Sequence, residues 1–328
     1  MSALLSQKKD QKSGRRLAVA VVAACILGTA IAVSREWQVA TERYVIITAD
    51  DAGMYASVNK ATIEALDWGL VSSTSIMVPC EGFSEIANYA RTNSEKDFGV
   101  HLTLNSETSQ FRWGPVSRPD KVRSLVDRDG FFWATAEETA RYAKIAEVEV
   151  ELRSQIERAR SAGIRISHLD HHKNVLLTRP DLIRLYVRLA VEYDVPIRYA
   201  PNLENRLDAG KFEPELIGAY RDGLRTLAAA GIPVLTDFDS DNYLCEPERK
   251  REYFLELLRH LQPGVTEIVI HCAVQTPDGK LPRQIERREI DARIFKSVEI
   301  VDRLRRYGIR VLRWRDLRPL SRIVAQPR

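Results

Sequence analysis

Residues 44–53 read Tyr44-Val45-Ile46-Ile47-Thr48-Ala49-Asp50-Asp51-Ala52-Gly53. Five β-branched or aromatic residues in succession predict a buried strand over Tyr44–Thr48, and Ala52-Gly53 predicts the tight turn that follows it. The strand ends in two adjacent carboxylates. Such a pair before a glycine is commonly a turn or helix-cap arrangement, because short acids bond local backbone amides. Working outward, seven more short runs repeat the pattern: Ser73–Val78, Phe98–Leu104, Ile164–Leu169, Pro196–Tyr199, Pro233–Phe238, Glu267–Ile270 and Ile309–Leu312. Amphipathic stretches separate them, as in Val58, Ala61, Ala65, Trp68 and in Ile145, Val148, Leu152, Ile156, Ala159. Further stripes are Leu182, Leu185, Leu189, Tyr193; Phe254, Leu257, Leu261; and Ile294, Val298, Val301, Leu304. Strands alternating with helices predict an α/β fold, and eight of them predict a single-domain, irregular (β/α) TIM-like barrel over residues 41–328. Gly163, Gly231 and Gly308, each before an isoleucine, predict helix ends. The stretch Asn105–Thr135 interrupts the alternation and reads as a loop insertion over one mouth.

Composition excludes several classes. With 45% hydrophobic and 29% charged residues, the 328-residue chain is globular rather than disordered. The net charge of +4 is local: five of the 49 basic and one of the 45 acidic side chains fall in residues 1–32, leaving 44 of each elsewhere. That balance argues against a nucleic-acid partner. Behind the basic start, Leu17–Val33 is an unbroken run of 17 small and apolar residues. It is slightly long for a cleaved signal and just short of the roughly 20 that span a bilayer. Ala30-Ile31-Ala32 supplies a cleavage site. Residues 1–40 thus read as an export signal or a membrane anchor through 17–33, and either puts the body in the periplasm or another extracytoplasmic space. Cys80, Cys245 and Cys272 match no zinc or disulfide spacing.

Chemistry concentrates at the strand ends. Of six histidines, His101, His168, His171, His172 and His271 lie at or just after strand candidates, and His260 alone reads as mid-helix. Carboxyl ends of barrel strands converge, so these imidazoles and Asp50-Asp51 meet at one rim. His168-Leu169-Asp170-His171-His172 is the most specific piece, since three imidazoles and a carboxylate are costly to bury without a cation or hydrogen bonds.

These residues carry a resemblance to the YdjC-like (ChbG-type) carbohydrate deacetylases. Tyr44–Gly53, Val58-Asn59, Gly69–Val78, Gly99–Leu104, His168–His172 and Ile270-His271 all match that family's motifs, and the likeness runs from about residue 44 to 318. Ala52, Asn174, Leu176 and Cys272-Ala273 depart from its usual residues. The resemblance implies an enzyme that removes the acetyl group of an N-acetylated amino sugar or glycan, releasing acetate and a free amine. It implies that Asp51, His101 and His172 hold one divalent metal ion, with Zn²⁺ favoured over Mg²⁺ or another divalent ion. It assigns Asp50 as general base and His271 as general acid. His168, Asp170 and His171 are implied to orient a ligand or touch substrate, and Arg288 to hold Asp50 or a sugar hydroxyl. Phe111, Arg112, Trp113, Phe131, Phe132 and Trp133 of the insertion either stack on sugar or pack the loop. Two other readings stay open: a metal-dependent hydrolase of another amide or ester, and a glycan-binding protein without turnover. Oligomeric state is not indicated by the sequence.

Overall fold

Strand β1 (Arg43–Ala52) lies at the centre of a parallel sheet and is buried along nearly its whole length. One edge pairs with β6 (Gly264–His271) through eight residues, from Arg43 opposite Gly264 to Asp50 opposite His271. The other edge is shared: its start pairs with β7 (Ile309–Val311) and its end with β2 (Ser73–Ile76). β3 (Asp97–Leu102), β4 (Ile166–His171) and β5 (Asp237–Asp239) complete the order β4-β3-β2-β1-β6-β5 among the described residues. The computed structural model describes residues 41–108, 111–201, 213–277 and 285–319, and Arg43–Arg318 form one compact unit. The apolar run 17–33 lies outside the described residues, and no described helix is long and apolar enough to cross a membrane.

The expected irregular (β/α) TIM-like barrel is not formed. The ladders make an open half-barrel of seven strands among the described residues, because one of the eight candidates builds no strand and another builds only a short one. Pro196–Tyr199 contributes an isolated bridge between Ile197 and Leu169, and of Pro233–Phe238 only the end enters β5. Proline has no N–H, so Pro196 and Pro233 each remove the first donor of their stretch, and beyond them the pairing is by scattered bonds such as Arg198 N–H to Leu169 O at 3.1 Å and Thr236 N–H to Val265 O at 2.9 Å. The remaining contact across this gap is by single backbone bonds, such as Leu235 N–H to Tyr199 O at 3.1 Å.

Helices α1 (Ala56–Trp68) and α2 (Phe83–Thr92) follow β1 and β2. Both α3 (Ala136–Tyr142) and α4 (Ile145–Ser161) precede β4, and α5 (Pro180–Tyr193) and α6 (Pro214–Ala229) follow it. Next come α7 (Lys250–Arg259), α8 (Ile285–Ile294) and α9 (Val298–Tyr307). The predicted stripes are buried with instructive exceptions. Trp68 is 50% exposed at the end of α1, and Val298 is 63% exposed because a break at residues 295–297 splits the last stripe between α8 and α9. His260 caps α7 instead of lying within it. Gly308 ends α9 with φ 63°, a left-handed conformation that glycine adopts without a Cβ penalty. The three body cysteines are free, with Cys80 and Cys272 buried.

Alternation along the strands divides the core. Val45, Ile47 and Ala49 pack into the large helix-covered cluster, whereas Ile46 joins Phe238, Trp314 and Leu317 on the opposite, inner face. Trp314 stacks on His168 with ring centroids 4.5 Å apart. Gly99 makes room for that imidazole: a Cβ there would lie 2.4 Å from the ring. The ring is held between Trp314 and Ser167, whose Oγ is 2.9 Å from its Nδ1, so it cannot step aside. A Gly99→Ala substitution is therefore expected to cost about 1–3 kcal/mol by overpacking, read as a lower midpoint in urea unfolding; an unchanged midpoint would show that the ring yields.

Candidate metal and catalytic site

Asp50 and Asp51 are neighbours on β1, so regular pleating would send their side chains to opposite faces. The register against β2 shifts between Ala49 and Ala52, and Asp51 has φ 72°. This local bulge turns both carboxylates to the rim. Asp51 Oδ1 lies 3.4 Å from His101 Nε2 and 3.3 Å from His172 Nδ1, and those two nitrogens are 3.3 Å apart. The three side chains come from the ends of β1, β3 and β4, are buried, and can together hold one metal ion. Asp51 Oδ1 has no hydrogen-bond partner.

Each corner is braced. Arg288, from α8, donates to Asp51 Oδ2 at 2.6 Å. Burial alone would raise the Asp51 pKa, but Arg288 and the two imidazoles hold it well below the usual carboxylate range. His101 Nδ1 is 2.8 Å from Asp170 Oδ1 and 3.1 Å from Ser75 Oγ. Burial disfavours a charged ring there, yet Asp170 and Asp50 outweigh it and push His101 up to about 10. The acidity that favours a proton on His101 equally favours a cation. His172 Nε2 faces Glu107 Oε2 at 2.9 Å.

Asp50 is held differently. Arg198 donates Nη1 to its Oδ2 at 2.8 Å and Nη2 to its Oδ1 at 2.9 Å, and Ser75 Oγ bonds Oδ1 at 3.0 Å. Its Oδ2 stands 4.0 Å from His101 Nε2. Burial raises the Asp50 pKa against the opposing pull of Arg198. Across the β1–β6 ladder, His271 is the register partner of Asp50. The His271 ring lies 4.8 Å from that of Tyr243, and its backbone N–H reaches Asp291 Oδ2 at 3.2 Å. Burial holds its imidazole well below the ordinary pKa.

Strand alternation sorts the remaining candidates. His168, Asp170 and His172 share one face, but His168 sits a level below the triangle on Trp314, where burial drops it to about 3. His171 points the other way, packs edge-on against Tyr186 at 5.4 Å and is likewise lowered to about 3 by burial. Arg288 holds Asp51 and not Asp50. In the insertion, Trp113 and Phe132 are buried, so they pack the loop and do not present a sugar platform.

A model of the YdjC-like protein family matches residues 44–306. The chain belongs to the YdjC-like family. A relative from Thermus thermophilus, named carbohydrate deacetylase, is 33% identical over 249 residues, 76% of this chain and 84% of that protein. Another of that name from Thermoanaerobacter pseudethanolicus is 27% identical over 264 residues, covering 80% and 94%. Among solved structures, an Enterococcus faecalis protein described for cellobiose-phosphate cleavage superposes with TM-score 0.69 at 25% identity, over 84% of this chain and 99% of that one.

Four residues of this YdjC-like site are given no role by the sequence: Ser75, Glu107, Arg198 and Glu267. Arg198 also meets Glu267 through Nε at 2.7 Å and Asp170 Oδ2 at 2.9 Å, so one guanidinium joins three buried carboxylates. Its sequence signal is a charge inside the short apolar run Pro196–Tyr199, which is affordable only with partners.

Proposed function

We propose that this protein is a metal-dependent hydrolase that removes the acetyl group of an N-acetylated amino sugar or glycan. The observation that carries it is the donor triangle beside a braced carboxylate. Donors about 2.0–2.2 Å from one tetrahedral ion lie about 3.3–3.6 Å from each other, and the spacings of 3.3–3.4 Å among Asp51, His101 and His172 match. Charge agrees. Five buried or nearly buried carboxylates (Asp50, Asp51, Glu107, Asp170, Glu267) face three cations (Arg198, Arg288, Lys173), leaving two negative charges for a divalent ion. One carboxylate and two imidazoles favour Zn²⁺.

Asp51, His101 and His172 would hold the ion. Bound there, it lowers the pKa of a water from 15.7 to about 7 and polarises the acetamide carbonyl. Asp50 Oδ2, which accepts a single bond from Arg198, is the oxygen free to take the water's proton. His271 is the register partner of Asp50 across the ladder and is neutral at rest, so it takes over the proton that Asp50 removes from the water before giving it to the departing amine. Arg288 keeps Asp51 ionised, so the adjacent acids divide the work.

Purified protein loaded with Zn²⁺ is expected to release acetate from at least one member of a panel of N-acetyl sugars. Chelation should reduce release to background, and added metal should restore it. Cleavage confined to acetyl esters would favour the other hydrolase reading. Sugar binding without acetate release, with metal supplied, would make the protein a glycan-binding member of the fold. Export rests on residues 17–33, and the intact mass of the protein recovered from envelopes tests whether that segment is cut.

A further inference from the structure

Glu107 stands in the segment after β3, with 14% of its side chain exposed, and no pattern in the sequence marks it. Its Oε2 meets His172 Nε2 at 2.9 Å, while Lys173 Nζ, at 3.9 Å from Oε1, is beyond hydrogen-bond range. A neutral imidazole carries one N–H. A carboxylate acceptor at Nε2 keeps the hydrogen there and leaves the Nδ1 lone pair directed at the triangle. His101 is arranged the opposite way round: Asp170 faces its Nδ1, and Nε2 points into the triangle. The two rings thus offer different nitrogens, each selected by its own carboxylate.

We propose that Glu107 is a positioning residue that fixes the tautomer and orientation of His172, and that the aromatic insertion exists in part to hold Glu107 there. This rests on reading the triangle as a cation site. The chain around Glu107, at the start of the insertion, is tied to the insertion's later residues on both sides. Ser106 N–H donates to Trp133 O at 2.8 Å, Trp113 Nε1 to Asn105 O at 2.9 Å, and Ser106 Oγ accepts from Trp113 N–H at 3.1 Å. On the far side, Thr108 Oγ1 and Tyr55 Oη both donate to Phe111 O. Trp113 also meets His172 edge-on at 6.2 Å. These aromatic residues therefore act on the metal corner through Glu107.

Cobalt(II) titration of the full chain tests this, because uptake and the ligand-field spectrum need no substrate. Glu107→Ala is expected to weaken cobalt affinity by about 10–100-fold and to alter the ligand-field spectrum, a change that lost stability of the metal-free protein alone does not produce. Glu107→Gln, whose Oε1 still accepts from Nε2, is expected to recover most of the affinity. Wild-type affinity and spectrum in Glu107→Ala would overturn the proposal, as would a loss in Glu107→Ala that the Gln variant does not rescue. A wild-type protein that binds cobalt yet releases no acetate would overturn only the deacetylase reading, whereas one that takes up no cobalt would overturn both.

Discussion

An Asp50→Asn protein is expected to keep one metal ion per chain and lose about two to four orders of magnitude in kcat, the usual worth of a general base. Asparagine retains the shape of the side chain and an acceptor for Arg198, but its amide cannot take a proton from water at neutral pH. Asp51→Ala should behave in the opposite order: the metal is lost first, and activity with it, because Oδ1 is one of three donors and Arg288 is left beside an empty corner. The pair separates the two acids by metal analysis as well as by rate. A normal kcat in Asp50→Asn, or metal loss in that variant with retention in Asp51→Ala, would reverse the assignment. The contrast depends on the bulge at the end of β1, since regular pleating would bring only one of the two acids to the rim.

How much of this was legible in the chain follows from the range of the forces involved. The strand ending in Asp50-Asp51 and the histidines at the ends of β3, β4 and β6 could be read because local periodicity marks strands and a parallel sheet gathers their carboxyl ends. The choice between His171 and His172 follows from period-two alternation once the limits of β4 are known. Closure of the sheet is not legible because Pro196–Tyr199 and Pro233–Phe238 have strand composition, yet each opens on a proline that donates nothing to a ladder, and the pairing beyond it is by scattered backbone bonds. Arg198 and Glu107 were not found for a different reason. Each is defined by partners at least 65 residues away, Asp50 and Glu267 for the one and His172 for the other, and nothing within a few residues of either demands those contacts.

Arg198 is the residue on which that buried network depends, and its removal is expected to be the most destabilising single change at the site. Asp50, Asp170 and Glu267 are all buried, and one guanidinium supplies four hydrogen bonds at 2.7–2.9 Å to Asp50 and Glu267 and an ion-pair contact at 2.9 Å to Asp170. Removing one partner of a buried ion pair costs about 3–5 kcal/mol, and here three carboxylates lose their counterion together. Arg198→Met should therefore lower unfolding stability by at least that much at neutral pH, measured by urea titration. Arg198→Lys should recover only part of it, because an ammonium cannot bond along two edges. The pH dependence has a definite sign. Burial already lifts Asp50 and Glu267 above their ordinary values, with Arg198 opposing it, so without Arg198 their folded-state pKa values rise further. The folded variant then binds more protons than the unfolded chain, and its stability increases as pH falls toward the unfolded carboxylate range near 4. The deficit relative to wild type should be largest near pH 7 and shrink toward pH 5. A deficit below about 1 kcal/mol, in the range of an exposed ion pair, or one that grows on acidification, would mean that water and not Arg198 neutralises these acids.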